Sequence, residues 1–294
     1  MMKSKVKKWF GFACAAVFAV ALCCPLLACA DKDKNEDGDG DNGDVQVPVH
    51  ETEVTPVEGG DEITLPGDGE AEYYDIYKGN SAYGDFTLVE TDYEGESYVG
   101  DDLWAYYRVD FKANGNVTGS RVYSYEKELF GENTMIFSPE DDPEEVQAVI
   151  DEIYEGQRGA SSGQFTEDRY ALLFEEGSYD VTVYEGYYTS VAGLGLAPTD
   201  TKLGGFHVYA DLESNNNATH NFWRTVENVT VTGNVQWAVS QATSMHRTMV
   251  RGNLTLHQYG GWSSGGFLAD SRVTGTVNSG SQQQWISRND EWNT

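Results

Sequence analysis

The feature that most constrains this chain is a repeat of roughly twenty residues in its last third. A short stretch of alternating apolar and polar residues beside a Gly or Asn recurs at 227–233, 248–254 and 271–277. One such unit is too short to bury an apolar interior alone, but stacked units share one. The repeat therefore predicts a single-stranded, right-handed parallel β-helix in which each coil contributes several short strands.

A β-sandwich is the alternative architecture, because it would also show many short strands. It would not be expected to repeat one strand motif in register. The chain has 32 Gly and 18 Tyr but only 7 Pro, a mix that favours strands and tight turns over helical bundles. The prediction is a mainly β protein, with the β-helix over residues 133–294.

One segment departs from the β pattern. Apolar residues recur at helical spacing over 144–154, and acidic residues cluster in the first turn, where the helix dipole favours them. A short strand at 134–137 precedes this segment, so the helix is predicted to cap the N-terminal end of the β-helix. Residues 73–132 are dense in aromatic residues separated by Gly, Asn and Asp, which predicts a small β-rich extension.

The N-terminus has the layout of a secretory signal, with four lysines in the first eight residues and an apolar run over 9–28. The run approaches the length of a transmembrane helix, so an uncleaved anchor is the alternative. The sequence Leu-Leu-Ala-Cys at 26–29 resembles the lipobox of bacterial lipoprotein signals. This resemblance implies cleavage after residue 28, lipidation of Cys29, and attachment to the extracytoplasmic face of the cell membrane.

Residues 29–72 are predicted to form a disordered, acidic tether, because they are rich in Asp, Glu and Gly and lack hydrophobic periodicity. A calcium loop is the alternative interpretation of the first part. Asp33, Asn35 and Asp37 alternate with suitable spacing, and Gly38 stands at the sixth position. Against it, Asp44 replaces the usual Glu at the twelfth position and no helix flanks the loop.

Charge and cysteine usage exclude several classes of function. The chain has 48 acidic and 19 basic residues, a net charge of −29, and loses four more lysines with the predicted signal. Such a charge repels nucleic acids, which are therefore not expected as partners, whereas neutral glycans remain possible. All four cysteines lie at or before Cys29, so disulfides and thiol catalysis are not expected. We predict no metal site and no cofactor.

Ten motifs between residues 133 and 289 carry a family resemblance. They lie at 169–174, 177–179, 186–189, 193–195, 221–224, 227–228, 237–241, 260–267, 279–285 and 287–289. This region resembles a group of secreted bacterial β-helix proteins of the pectin-lyase-like superfamily, often labelled adenylyl cyclase or found beside discoidin-type carbohydrate-binding domains. The layout is more distantly similar to β-helical glycosidases such as the family 55 glucanases.

The chain departs from that family in two ways. Members generally continue for several more coils, so the β-helix is predicted to be incomplete at its C-terminus. The cyclase label gains no support, because the sequence contains no Gly-rich phosphate loop.

The resemblance implies that a polysaccharide lies along one exposed sheet face, where carboxylates act as acid and base. Glycoside hydrolysis uses two carboxyl groups about 5 to 10 Å apart, and adjacent coils place equivalent residues ~5 Å apart. Glu227, Asp270 and Asp290 are the catalytic candidates. The alternative for each is an ordinary solvated acid in a turn.

Seven further residues are candidates for substrate binding: Arg224, Gln241, His246, Trp262, Gln284, Trp285 and Arg288. The arginines would bind an acidic sugar or stabilise a carbanion, as in polysaccharide lyases, or else form ion pairs between coils. His246 is a candidate base or a packed turn histidine. The glutamines suit sugar binding, but they equally suit amide ladders between coils. The tryptophans, including Trp223 and Trp237, equally suit aromatic stacks in the core.

These observations predict a surface-tethered lipoprotein that acts on extracellular polysaccharide as a glycoside hydrolase-like β-helix protein. A polysaccharide lyase is a related possibility. The alternative is a glycan-binding or structural cell-surface protein without catalysis.

Overall fold

The structure, a computed structural model, describes residues 53–66, 71–102, 104–159, 161–210 and 216–293. The predicted signal, Cys29, most of the tether and the calcium-loop candidate lie outside the described residues. Strands make up 48% and helices 8% of the structure, which forms a parallel β-solenoid of about five turns. The predicted mainly β, parallel β-helix class is therefore confirmed.

The N-terminal part contains two antiparallel sheets, ordered β1-β2-β5 and β4-β3-β6-β7. Their strands are β1 Val54–Val57, β2 Gly60–Thr64, β3 Tyr73–Gly79, β4 Thr87–Tyr93, β5 Ser97–Val99, β6 Tyr106–Ala113 and β7 Asn116–Tyr123. Both sheets contribute to one apolar core, in which Ile63, Ile76 and Val109 are fully buried. The aromatic-rich extension expected from the sequence is thus a small packed β region.

This β region starts earlier than predicted. Strands β1 and β2 fall inside the predicted tether, and Val54, Ile63 and Leu65 are buried in the N-terminal core. The few apolar residues among the acids of this stretch are those that pack, so the low average hydrophobicity was a poor guide there. The tether boundary at residue 72 is therefore wrong.

One face of the solenoid, the front sheet, consists of parallel strands in the order β23-β20-β16-β13-β11-β9-β8. Its strands are β8 Thr134–Phe137, β9 Tyr170–Phe174, β11 Thr189–Gly193, β13 Arg224–Glu227, β16 Thr243–His246, β20 Phe267–Ala269 and β23 Ile286–Arg288.

The facing back sheet is also parallel among its neighbouring strands. Its strands are β10 Gly177–Tyr184, β12 Thr201–Val208, β14 Thr230–Val231, β15 Val235–Trp237, β17 Met249–Val250, β18 Leu254–Thr255, β21 Arg272–Asn278 and β24 Glu291–Asn293. A third, two-stranded ladder pairs β19 Ser263–Ser264 with β22 Gln282–Gln283.

The register explains the sequence repeat. Thr230 pairs with Met249, and Phe267 with Ile286, each nineteen residues further along the chain. In the front sheet the interior positions form one column along the solenoid axis: Leu172, Val191, Val226, Met245 and Leu268. All of these are at most 1% exposed. Because side chains alternate across a strand, the residues between them face outward along the front sheet.

Two helices precede the complete coils in the described part of the chain, α1 Tyr125–Phe130 and α2 Pro143–Gln157. Helix α2 is the predicted capping helix. It begins after Asp142, whose carboxylate accepts a hydrogen bond from the Glu144 amide at 2.8 Å, and Pro143 occupies its first turn. The short α1 was not expected from the sequence. No helix in the described ranges is long and apolar enough to cross a bilayer.

The N-terminal β region is attached to the first coil through the loop that contains Tyr83. The Asp142 amide donates to the Tyr83 carbonyl at 3.4 Å, and the Tyr83 ring lies 5.3 Å from the Phe137 ring. Ser81 also forms a buried hydrogen bond with Asp141. These contacts bring the β region against the end of the solenoid that α2 covers.

Gly186 marks the closest approach of helix α2 to the solenoid. A Cβ at this position would lie 2.6 Å from the Gln157 Cβ and 2.7 Å from its carbonyl carbon. The adjacent Tyr187 amide donates to the Gln157 carbonyl at 2.8 Å, so the backbone has little room to move.

We therefore expect Gly186→Ala to lower the free energy of unfolding by about 1–3 kcal/mol, measured by urea denaturation. Gly156→Ala is the matched control, because Gly156 lies in α2 and its added Cβ meets nothing within 4 Å. Gly156→Ala should leave the free energy of unfolding unchanged or raise it slightly. Equal losses in the two variants would contradict the close packing at Gly186.

Candidate functional site

A groove of about 490 Å³ lies where the chain enters the first strands of the front sheet. Its lining combines aromatic rings, hydroxyl groups and one arginine. The lining residues are Phe130, Asn133, Thr134, Arg169, Tyr170, Ala171, Tyr188, Thr189, Ser190, Trp223, Thr225 and Ala242. Sugar-binding surfaces need these two components, flat apolar faces and short polar groups.

An aromatic stack forms one side of the groove. The rings of Tyr188 and Trp223 lie 6.2 Å apart at an interplanar angle of 15°, and the Arg169 guanidinium lies 3.6 Å from the Tyr188 ring centroid. The two aromatic residues occupy equivalent positions on successive coils, where the Tyr188 amide donates to the Trp223 carbonyl at 2.8 Å. Trp223 is 52% exposed, so much of its surface is open to a ligand.

Both stacked residues have left-handed backbone conformations, with φ of 53° for Tyr188 and 58° for Trp223. Such φ values are uncommon for bulky residues and cost energy. The stack therefore depends on surrounding contacts that hold these two turns.

Hydroxyl groups continue from the stack onto the sheet. Ser190 on β11 and Thr225 on β13 are register partners, and the Thr225 hydroxyl donates to the Ser190 oxygen at 3.1 Å. Two positions along β13, Glu227 projects from the same face, about 7 Å from Thr225 by strand geometry. The groove is thus continuous with the part of the front sheet that carries Glu227.

Glu227 begins a cluster of ionisable residues on three successive coils. Its carboxylate lies 3.4 Å from Nδ1 of His246, and Nε2 of His246 lies 3.3 Å from the Asp270 carboxylate. One imidazole ring therefore separates two carboxylates, which keeps them within the roughly 5 to 10 Å that glycoside hydrolysis uses. Three of the residues predicted for the site, Glu227, His246 and Asp270, are brought together here.

Asp270 has more hydrogen bonding than Glu227. Its carboxylate accepts a hydrogen bond from the Asn289 amide at 2.9 Å and lies 3.9 Å from the Arg288 guanidinium. The Asn289 hydrogen bond, with the charges of Arg288 and His246, lowers the pKa of Asp270 against an opposing effect of desolvation. Asp270 is thus held in its ionised form.

The shared imidazole also constrains where a proton resides. A neutral histidine donates from only one ring nitrogen, so one carboxylate receives the N–H and the other faces a lone pair. The imidazole of His246 therefore links the Glu227 and Asp270 carboxylates through its two ring nitrogens.

Asp290, the third predicted catalytic acid, has a structural position. It accepts hydrogen bonds from the amides of Ser271 at 2.9 Å and Arg288 at 3.1 Å, so it stabilises a turn between coils. Burial raises the pKa of Asp290 above its ordinary value, with a contribution from the Asp270 charge. The hydrogen bonds of this carboxylate are therefore made to the backbone and not to a ligand on the open face.

Arg224, a predicted substrate-binding residue, points into the interior and is 1% exposed. Its guanidinium donates to the Phe222 and Glu185 carbonyls and lies 4.2 Å from the Tyr187 ring centroid. A glycan on the front sheet has no direct contact with a side chain buried in this way. Strand parity could have indicated this, because Arg224 shares its side of β13 with the core residue Val226.

None of the remaining predicted residues lines the groove. Gln241 is exposed and accepts a hydrogen bond from Ser240. Trp262 is 72% exposed, and Gln284 is exposed beside Ser264. Their roles stay predictions.

Trp285 is half-buried against the core, and its indole N–H donates to Ser287 at 2.8 Å. Arg288 belongs to the carboxylate cluster through Asp270.

Sequence reasoning did not find Arg169 and Tyr188, and it left Trp223 undecided between core and surface. The useful signal was local: Tyr188 and Trp223 each directly precede a front-sheet strand. No group of three or more His, Cys, Asp or Glu side chains suited to a metal ion occurs within the described ranges.

The fold and the site define a parallel β-solenoid with an aromatic-edged groove and a paired-carboxylate cluster on one open sheet. The chain is 44% identical over 163 residues to an exo-β-1,3-glucanase of Streptomyces sp. (strain SirexAA-E / ActE). Two solved structures of sacteLam55A from that organism superpose with TM-scores of 0.50 and 0.51 at 42% and 43% identity. The second is a variant in complex with glucose. No protein-family model matches the chain.

These similarities cover part of each protein. The match to the glucanase spans 54% of this chain and 26% of the relative, and the structural matches span 55% and 56% of this chain and 30% of the solved chains. The glucanase relative is consistent with the similarity to β-helical glucanases that the sequence predicts. The pectin-lyase-like and adenylyl cyclase resemblances stay predictions.

Proposed function

We propose that this chain acts on a β-1,3-linked glucan, which lies along the front sheet, and that it does so as a glycoside hydrolase-like protein. The observation that carries the proposal is the continuity of the Tyr188–Trp223 stack with the Glu227–His246–Asp270 cluster on one open face. The similarity to an exo-β-1,3-glucanase supports the substrate class. The net charge of −29 favours a neutral polymer over an acidic one.

In this proposal a pyranose ring packs on Trp223, and the Ser190 and Thr225 hydroxyls bind its neighbouring polar groups. Glu227 donates a proton to the glycosidic oxygen as the bond to the anomeric carbon breaks. Asp270, held ionised, accepts a proton from the water that attacks this carbon. His246 orients both carboxylates.

Glucan binding without cleavage is the second candidate. The Glu227 side chain is 59% exposed, whereas proton-donating carboxyls of glycosidases are raised in pKa by desolvated surroundings. This exposure favours a surface that binds glucan but does not cleave it.

A polysaccharide panel separates these possibilities. The chain carrying Cys29→Ser, so that it is not lipidated, would be tested against β-1,3-glucan, β-1,4-glucan and polygalacturonate for reducing ends, unsaturated products and gel retardation. We expect retardation and reducing ends with β-1,3-glucan alone. Retardation without product would establish the binding candidate, and unsaturated products from polygalacturonate would contradict the proposal in favour of a lyase.

Trp223→Ala removes most of the exposed stacking surface. Since aromatic contacts of this kind contribute about 0.5–1.5 kcal/mol each, we expect roughly a three- to tenfold weaker affinity for β-1,3-glucan by affinity electrophoresis. The matched control is Tyr259→Ala, because Tyr259 is 86% exposed but does not line the groove. Equal affinity losses in both variants would contradict the location of the binding face.

We also propose that the protein is tethered to the outer face of the membrane by lipid on Cys29, as its lipobox-like sequence predicts. Cys29→Ser should abolish incorporation of labelled fatty acid and move the protein from the detergent phase to the aqueous phase. A single acyl chain does not anchor a protein stably, whereas the diacylglyceryl group supplies two chains. Fatty acid on a Cys29→Ser variant would contradict the assignment.

A further inference from the structure

Two ionisable side chains lie inside the solenoid directly behind the aromatic stack. Glu185 and Arg224 are each 1% exposed, and no ion pair within 4 Å joins their charged atoms in the described residues. Burying charges costs free energy unless they are well paired, so a buried pair of this kind needs an explanation. The catalytic and binding roles above use neither residue.

The pair contacts the backbone of the candidate site. The Thr225 amide donates to Glu185 Oε1 at 2.8 Å, and the Arg224 Nε donates to the Glu185 carbonyl at 3.3 Å. Glu185 Oε2 is buried with no hydrogen-bond partner among the described residues. Burial raises the pKa of Glu185 well above its ordinary value, against the opposing charge of Arg224.

The interior repeats the layout of the exposed stack. Tyr187 is buried next to Tyr188, and Arg224 is buried next to Trp223, with the guanidinium 4.2 Å from the Tyr187 ring centroid. The buried cation–π contact therefore joins the same two turns whose exposed neighbours stack at 6.2 Å. Both exposed neighbours have strained, positive φ values that need such support.

We propose that Glu185 and Arg224 are positioning residues, which fix the two turns so that Tyr188 and Trp223 form a flat binding face for glucan. Glu185 holds the strand of Thr225 from the inside, and Arg224 holds the Trp223 turn against Tyr187. This inference rests on the proposed function for its ligand, but the geometry of the stack can be measured without one.

The test uses the full chain carrying Cys29→Ser, with Glu185→Gln, Arg224→Met and the double variant. The Glu185→Gln change keeps an acceptor for the Thr225 amide but removes the ionisable carboxyl next to Arg224. Replacing both charged residues is expected to be tolerated better than replacing one, because no lone buried charge remains. The double variant therefore separates loss of positioning from loss of folding.

We expect the folded double variant to bind β-1,3-glucan roughly three- to tenfold more weakly, the loss expected when the aromatic contact of Trp223 is removed. The fluorescence of Trp223, obtained by subtracting a Trp223→Phe background, should show altered acrylamide quenching. Glu176→Gln and Arg251→Lys, at exposed positions, are the controls. They should leave affinity and quenching unchanged.

Wild-type affinity and wild-type Trp223 quenching in a folded double variant would overturn the proposal. If the unmodified chain binds no glucan, the proposed function fails, and the quenching experiment alone decides the positioning role. Altered quenching in the double variant would then still support it, and unaltered quenching would overturn it.

Discussion

Replacing Glu227 with Gln is expected to lower kcat/KM for β-1,3-glucan hydrolysis by roughly 10²–10⁴-fold, the usual contribution of a positioned general acid. The substitution keeps the size of the side chain and a hydrogen bond to Nδ1 of His246, which lies 3.4 Å away, but removes the transferable proton. Asp270→Asn should cause a loss of similar size, because the amide cannot accept a proton from the attacking water. Initial rates of reducing-end release measure both effects.

The control is Glu176→Gln, an exposed acid in the turn between β9 and β10, which should retain the wild-type rate. Affinity for glucan should change little in all three variants, since the proposed binding contacts come from the aromatic stack. Hydrolysis at the wild-type rate by Glu227→Gln would contradict the assignment of the proton donor. Loss of binding together with hydrolysis would indicate that the cluster holds substrate.

Replacing Trp237 with Ala is expected to lower the free energy of unfolding by about 3–5 kcal/mol, as for other large aromatic residues removed from a core. Trp237 is fully buried at the end of β15, and its ring lies 5.7 Å from that of Phe206. A loss of this size is a large fraction of the total stability of a typical domain, about 5–15 kcal/mol. Denaturant titration followed by circular dichroism measures it.

Trp237→Phe is the matched comparison, because it retains an aromatic ring and removes an indole N–H that has no hydrogen-bond partner in the described residues. Its destabilisation should be clearly smaller than that of Trp237→Ala. If both substitutions cost less than about 1 kcal/mol, Trp237 would not be part of a close-packed solenoid interior.

Much of the fold could be predicted because the solenoid repeats its interior. The alternation around Val226 and its partners on other coils is visible in the sequence, and the acids and proline around residue 143 mark the start of α2. The N-terminal strands over 54–64 could not be found in this way. They have no repeat, and their few apolar residues are hidden among acids. Strands β1 and β2 pair with each other, but the second partner of β2 is β5, more than thirty residues further along the chain.

The site was predicted in part for the same reason. Glu227, His246 and Asp270 lie on three successive coils, so the repeat predicts their proximity, although not that the imidazole would separate the two carboxylates. Tyr188 and Trp223 are 35 positions apart, whereas later coils place partners nineteen positions apart, so the repeat does not indicate their register. Only the three-dimensional structure places their rings side by side.

The most direct test of the proposed site is a crystal structure of the Cys29→Ser chain with a β-1,3-gluco-oligosaccharide. It should show a pyranose ring packed on Trp223 and the oligosaccharide passing Thr225 toward Glu227 and Asp270. Sugar density on another face, with the front sheet empty, would contradict the proposed site.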